Sequence, residues 1–134
     1  MAEERITTFT WHADRNLPLT ITRPGASGAP ATNKFTYDSN GNLLKLQENF
    51  GTPLVRTTRF TWNSHGQMMS IDGPRTDVAD TASFAWLPAS SGGFLSTVTN
   101  GKGHVTQFEN YNAFGKPGKI TDTNNIVTTF TSMS

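Results

Sequence analysis

Phe35-Thr36-Tyr37-Asp38-Ser39-Asn40-Gly41-Asn42-Leu43 is the stretch from which the whole chain can be read. Phe35, Thr36 and Tyr37 alternate apolar and polar, which places both rings on one face of a strand. Asp38 to Gly41 is turn chemistry: Asp and Asn side chains bond their own backbone, and Gly accepts a positive φ without Cβ strain. A second short strand follows from Leu43 to Gln47, with Leu44 and Leu46 returning to one face. Asn40-Gly41 between two such runs is a strong local signal for a β-hairpin.

The same pattern recurs along the chain as FTWHADRNL (9–17), FTWNSHGQM (60–68), FAWLPASSGGFL (84–95) and ENYNAFGKP (109–117). Its marker aromatics are Trp11, Tyr37, Trp62, Trp86 and Tyr111, spaced 26, 25, 24 and 25 residues apart. Gly41, Gly66 and Gly115 each stand four residues after the marker, and a three-residue insertion delays the fourth copy's glycine to Gly93. Arg15 takes that place in the first copy. Leu17, Leu43, Met68 and Leu95 follow two residues beyond the glycine position, with Pro117 in the fifth copy. Leu46, Ile71, Val98 and Ile120 come three further on, and the first copy departs, with Thr20 between Leu19 and Ile21.

Five copies of two strands each predict an all-β chain of about ten strands, near the ordinary strand length of roughly six residues. The copies fall near 6–31, 32–56, 57–80, 81–105 and 106–127, with a truncated sixth at 128–134. Second turns link one hairpin to the next at Gly51-Thr52-Pro53, Gly73-Pro74-Arg75, Asn100-Gly101-Lys102-Gly103 and Asp122-Thr123-Asn124-Asn125. The longest link, RPGASGAPAT (23–32), reads as a loop. The expected architecture is a single array: an antiparallel β-hairpin meander in a curved, solenoid-like strip. Partial closure into a barrel is the rival arrangement, because closure removes edges.

Composition agrees. Of 134 residues, 21 are Thr, 10 Ser, 11 Asn and 12 Gly, and no window carries an amphipathic helix. Charged residues are 16% and the net charge is +1, which provides no electrostatic footprint for nucleic acid. No stretch of 18 apolar residues spans a membrane, and the N-terminal MAEERITTF lacks the apolar segment of a secretory signal. With no Cys, thiolate catalysis, disulfides and Cys-based zinc sites are excluded.

The aromatic-Asp-x-x-Gly-[Arg/Asn]-Leu pattern, best seen as Tyr37-Asp38-Ser39-Asn40-Gly41-Asn42-Leu43, resembles the tyrosine-aspartate (YD) repeat of RHS-type proteins. Asp72-Gly73-Pro74-Arg75-Thr76-Asp77-Val78-Ala79-Asp80 is similar to a connector common in bacterial members. The resemblance covers about residues 6 to 134. Only Tyr37 keeps the Tyr-Asp pair, Trp takes the aromatic slot three times, and Arg15 and Pro117 depart. The resemblance implies a segment of a β-shell that encloses a C-terminal toxin or effector domain, in a parent that is exported, on the cell surface or associated with a secretion system. The Asp-Pro-x-Gly-Leu signature of self-cleavage is absent, so autoproteolysis is not carried over.

A search for chemistry favours no enzyme. His12, His65 and His104 lack the spacing that sets two imidazoles on one metal. DGPRTDVAD does not match a calcium loop, and Arg75 stands in it as a partner for the acids. Ser90-Ser91-Gly92-Gly93 is no nucleophile elbow, and Gly101-Lys102-Gly103 is more simply a hairpin turn than a phosphate loop. The expectation is therefore a structural module without cofactor or metal. Trp11, Tyr37, Trp62, Trp86 and Tyr111 form its ladder of stacked hairpins, and Asp38, Asn40, Gly41, Gly66, Gly93 and Gly115 form its turns. The alternative is a carbohydrate- or cell-surface-binding module that stacks sugars on the same aromatic face. Its expected partners are adjacent repeats, the toxin cargo, or a second copy paired through edge strands.

Overall fold

The computed structural model describes residues 6–25 and 29–130. They form an all-β chain of antiparallel strands: β1 (Thr8–Trp11), β2 (Pro18–Arg23), β3 (Ala31–Tyr37), β4 (Leu43–Glu48), β5 (Arg56–Trp62), β6 (Met68–Asp72), β7 (Thr81–Trp86), β8 (Leu95–Thr99), β9 (Val105–Glu109), β10 (Lys119–Thr121) and β11 (Val127–Thr129). Strand order in the sheet is chain order from β1 to β11. Within each unit the strands follow one another as a meander. Ten strands belong to the five copies, and β11 opens the truncated sixth. A single 3₁₀ turn, Ala89–Ser91, is the one helical element among the described residues.

Two compact units, Met1–Thr61 and Trp62–Ser134, divide the chain. In the first, Phe9 pairs with Ile21 and Phe35 with Leu46, directly opposite across β1/β2 and β3/β4. Directly opposed residues share a face, so these four make one apolar side. The other side carries hydroxyls: Thr10 bonds Thr20 Oγ1 to Oγ1 at 2.6 Å, and Thr22 bonds Thr32 at 2.9 Å. The second unit repeats the scheme, pairing Ile71 with Ala82, Phe84 with Val98 and Phe108 with Ile120. Its polar side includes the cross-strand ion pair Lys119–Glu109 at 3.1 Å.

The register slips by one residue between Thr10 and Trp11, between Thr36 and Tyr37, and between Ala85 and Trp86. Each slip is a β-bulge on the second strand of the hairpin, with Leu19, Leu44 and Ser96 as the extra residues. This corrects the expected alternation in β4. Leu43, not Leu44, faces Tyr37 while Leu46 faces Phe35, and Leu44 is the unpaired bulge residue. The bulge is why the apolar positions are spaced by three rather than two.

The first copy is corrected by the same geometry. His12 N–H donates to the Leu17 carbonyl at 2.9 Å, where Asp38 N–H donates to Asn42 at 2.9 Å. Its turn is thus one residue longer, and Arg15 does not occupy the glycine slot. Pro18, not Leu17, faces the marker Trp11, and Ile21 falls in register with Leu46 and Val98. The departure at Thr20 disappears once that extra residue is counted.

None of the described residues is buried. Domains ordinarily hide an apolar face between two packed layers; within neither unit does a second layer cover it. Stability therefore rests on the strand ladder, cross-strand pairs and turns.

Candidate functional site

Five turns share one construction. Asp38, Asn63, Asn100, Asn112 and Asp122 each accept, at the carbonyl, the N–H of the third residue on, at 2.9–3.1 Å. The side-chain Oδ1 of each accepts the N–H groups of the second and fourth residues on. For Asp38 these are Asn40 at 2.8 Å and Asn42 at 2.9 Å. For Asn63 they are His65 and Gln67, at 2.9 and 3.0 Å, and Asn100, Asn112 and Asp122 repeat the pattern. The residue closing each turn is left-handed: Gly41 (φ 86°), Gly66 (78°), Gly103 (81°), Gly115 (78°) and Asn125 (63°). Asn40 and the other central residues keep negative φ. The hairpin is therefore a three-residue loop with a left-handed bulge, not the two-residue Asn-Gly turn. Amide donors to the carboxylate, led by Asn42 N–H, hold Asp38 below the usual carboxylate range.

The anchors Asn63, Asn100, Asn112 and Asp122 were legible as a recurring [Asp/Asn]-x-x-[Gly/Asn]. That spacing serves both the hairpin turns and two of the links between copies. Gly93 (φ 67°) is left-handed too, but within the longer loop of the fourth copy, where Leu87 N–H donates to Phe94 O at 2.7 Å.

Tyr37, Trp86 and Tyr111 act across copies. Tyr37 Oη donates to the Pro18 carbonyl at 2.8 Å, Trp86 Nε1 to the Met68 carbonyl at 2.8 Å, and Tyr111 Oη to the Leu95 carbonyl at 2.6 Å. Each acceptor stands at the same place, just past the turn of the preceding hairpin. Burial pushes the phenols of Tyr37 and Tyr111 above 10.0. Tyr111 also stacks on Phe94, with ring centroids 4.6 Å apart. Trp11 is 58% exposed and stacks on Phe9, whereas Trp62 is half-buried. Arg15, a departure in sequence, reaches the next turn and donates to the Asp38 carbonyl at 2.7 Å and to that of Ser39.

The other candidate residues stay apart. His12 Nδ1 accepts Asp14 N–H at 3.2 Å, inside its own turn, and His104 lies just before β9. No group of three metal-ligating side chains assembles among the described residues. In the connector, Arg75 pairs with Asp77 at 2.7 Å, Asp80 accepts Arg75 N–H at 3.0 Å, and Asp72 accepts the Thr81 hydroxyl at 2.7 Å. These acids brace a link between strands.

One feature breaks the repeat. The insertion in the fourth copy folds as the 3₁₀ turn Ala89–Ser91, closed by left-handed Gly92 at φ 96°. With the Asn63–Gln67 turn it frames an open groove of about 350 Å³. Asn63, His65 and Gln67 line one side, and Trp86, Pro88 and Gly92 the other. Gln67 Nε2 donates to the Gly93 carbonyl at 2.8 Å across it, and Asn63 Nδ2 donates to Gln67 Oε1 at 2.8 Å. The insertion itself was the sequence signal for this groove. No protein-family model matches the chain, and no curated protein matches it either.

Proposed function

We propose that the chain is a non-enzymatic structural repeat module, a segment of an RHS-type β-shell whose parent encloses or delivers a C-terminal toxin or effector. The observation that carries this reading is the recurring bond from a marker aromatic to the carbonyl of the preceding hairpin, at Tyr37, Trp86 and Tyr111. Such a bond serves to couple consecutive copies, as expected of an array in which each unit is stabilised by its neighbour. An uncovered apolar side suits a wall that meets other parts of a shell or its cargo. The proposed parent is exported or displayed at the cell surface. Reading the coding sequence on either side tests the proposal. Many further copies leading to a divergent C-terminal domain are expected, and their absence overturns it.

Taken alone, the chain is proposed to self-associate. Strand β1 is exposed along its whole length, as is β11, and unpaired strand edges template pairing with another chain. Light scattering over a dilution series is expected to show a concentration-dependent mass. A monomeric mass throughout overturns this part.

A further inference from the structure

We infer that the groove framed by the fourth copy's insertion is a binding site for a neutral saccharide, separate from the row of repeated aromatics. Four observations carry the inference. First, the site sits where the repeat is broken. The other turns that follow a marker close in four or five residues, whereas Leu87 N–H reaches the Phe94 carbonyl only after seven. The three extra residues build a groove wall that the other described turns lack.

Second, the groove is held open by fixed parts. Trp86, which lines the groove, is pinned through Nε1 to the Met68 carbonyl. Gly93 is tied to Gln67. A Cβ on Gly92 would stand 2.4 Å from the Phe94 ring, and that ring rests on Tyr111, so the loop is braced from behind. A preorganised site does not spend binding energy on ordering itself.

Third, the lining chemistry is selective. The groove combines an indole and a proline ring with the imidazole of His65, which makes no hydrogen bond among the described residues, and with the Asn63 and Gln67 amides, each of which keeps one N–H beyond the bonds Asn63–Gln67 and Gln67–Gly93. No Asp, Glu, Lys or Arg lines it. A ligand matched to these walls is uncharged, with an apolar face for the indole and a hydroxylated rim for the amides and imidazole. A pyranose ring has both. Fourth, about 350 Å³ lies at the small end of the range of roughly 300–1,000 Å³ usual for ligand sites, which fits a short saccharide better than a folded partner.

The probes are cellohexaose, chitohexaose, maltohexaose and mannohexaose, titrated into the intact chain and followed by amide and indole N–H chemical shifts. At least one is expected to move the Trp86 indole and amides of 63–67 and 86–93, leaving those around Tyr37 unmoved. Deleting Ala89–Ser91 returns Gly93 to the fourth place after Trp86, as in the regular copies, and is expected to abolish binding while preserving the sheet. His65→Ala, at an exposed position, is expected to weaken binding by about two- to twelvefold, as loss of one hydrogen-bonding group does. The inference is overturned if none of the four sugars shifts these resonances at millimolar concentration. It is equally overturned if the deletion variant binds as well as the parent, or if the shifts spread evenly over all marker aromatics. None of these results bears on the structural role proposed above.

Discussion

Removing one hydroxyl tests the coupling between hairpins directly. In Tyr111→Phe the ring and its stack on Phe94 remain, and only the 2.6 Å bond to the Leu95 carbonyl is lost. A hydrogen bond of this kind contributes about 0.5–1.5 kcal/mol net. Near its melting point a chain of 134 residues loses roughly 3–6 °C per kcal/mol, so a drop of about 2–9 °C is expected. In urea the midpoint should fall by about 0.5 M with the slope unchanged. Tyr111→Ala also removes the stack, adding about 0.5–1.5 kcal/mol and part of the area term of a half-buried ring. Its total of about 2–3 kcal/mol is a large share of ordinary marginal stability. Circular dichroism melts and urea titrations of both variants measure the two parts separately. If Tyr111→Phe melts and unfolds like the parent while Tyr111→Ala is strongly destabilised, the ring matters only as packing. The bond then does not couple the copies, and the structural reading loses its main support.

Further outcomes follow from the turns and from titration. At Gly66 (φ 78°) nothing lies within 4 Å of an added Cβ, so Gly66→Val should lose about 1 kcal/mol or more to backbone strain alone. Gly66→Asn should lose clearly less, because Asn125 holds the equivalent place at φ 63°; equal losses in urea would contradict the shared turn. Gly28, the natural loop control, lies outside the described residues. Trp62→Ala would cost about 3–5 kcal/mol at a fully buried ring; the half-buried Trp62 should lose about half that, read from the denaturation midpoint. The raised phenol pKa values of Tyr37 and Tyr111 favour the neutral form in the folded state. Their contribution is complete below about pH 10, the value of a free phenol, and is lost as pH rises through the folded values. A Tyr37→Phe/Tyr111→Phe double variant should flatten that alkaline loss in thermal melts from pH 9 to 11.

What the sequence determined by itself is what short-range physics decides. Strict alternation at Phe35-Thr36-Tyr37 sets a strand within three residues. Asp38 and Gly41 set a turn within four, because an Asx side chain can reach only its own next few amides and a left-handed residue must close the loop. From these the five copies, the meander order and the opening of a sixth at β11 follow. The tertiary structure decided the rest. The bulges at Leu19, Leu44 and Ser96 depend on which residue faces which across two strands, and alternation alone placed Leu44 on the wrong footing. One extra residue in the first turn moved Pro18 into the place read for Leu17, and no local propensity counts residues in a loop. The bonds from Tyr37, Trp86 and Tyr111 join groups 16 to 19 residues apart, so they exist only once hairpins lie side by side. The groove beside Trp86 is of the same kind. Its insertion is visible in the sequence, but its opposite wall comes from the turn at Asn63, which strand pairing brings within 2.8 Å of a backbone atom 26 residues away.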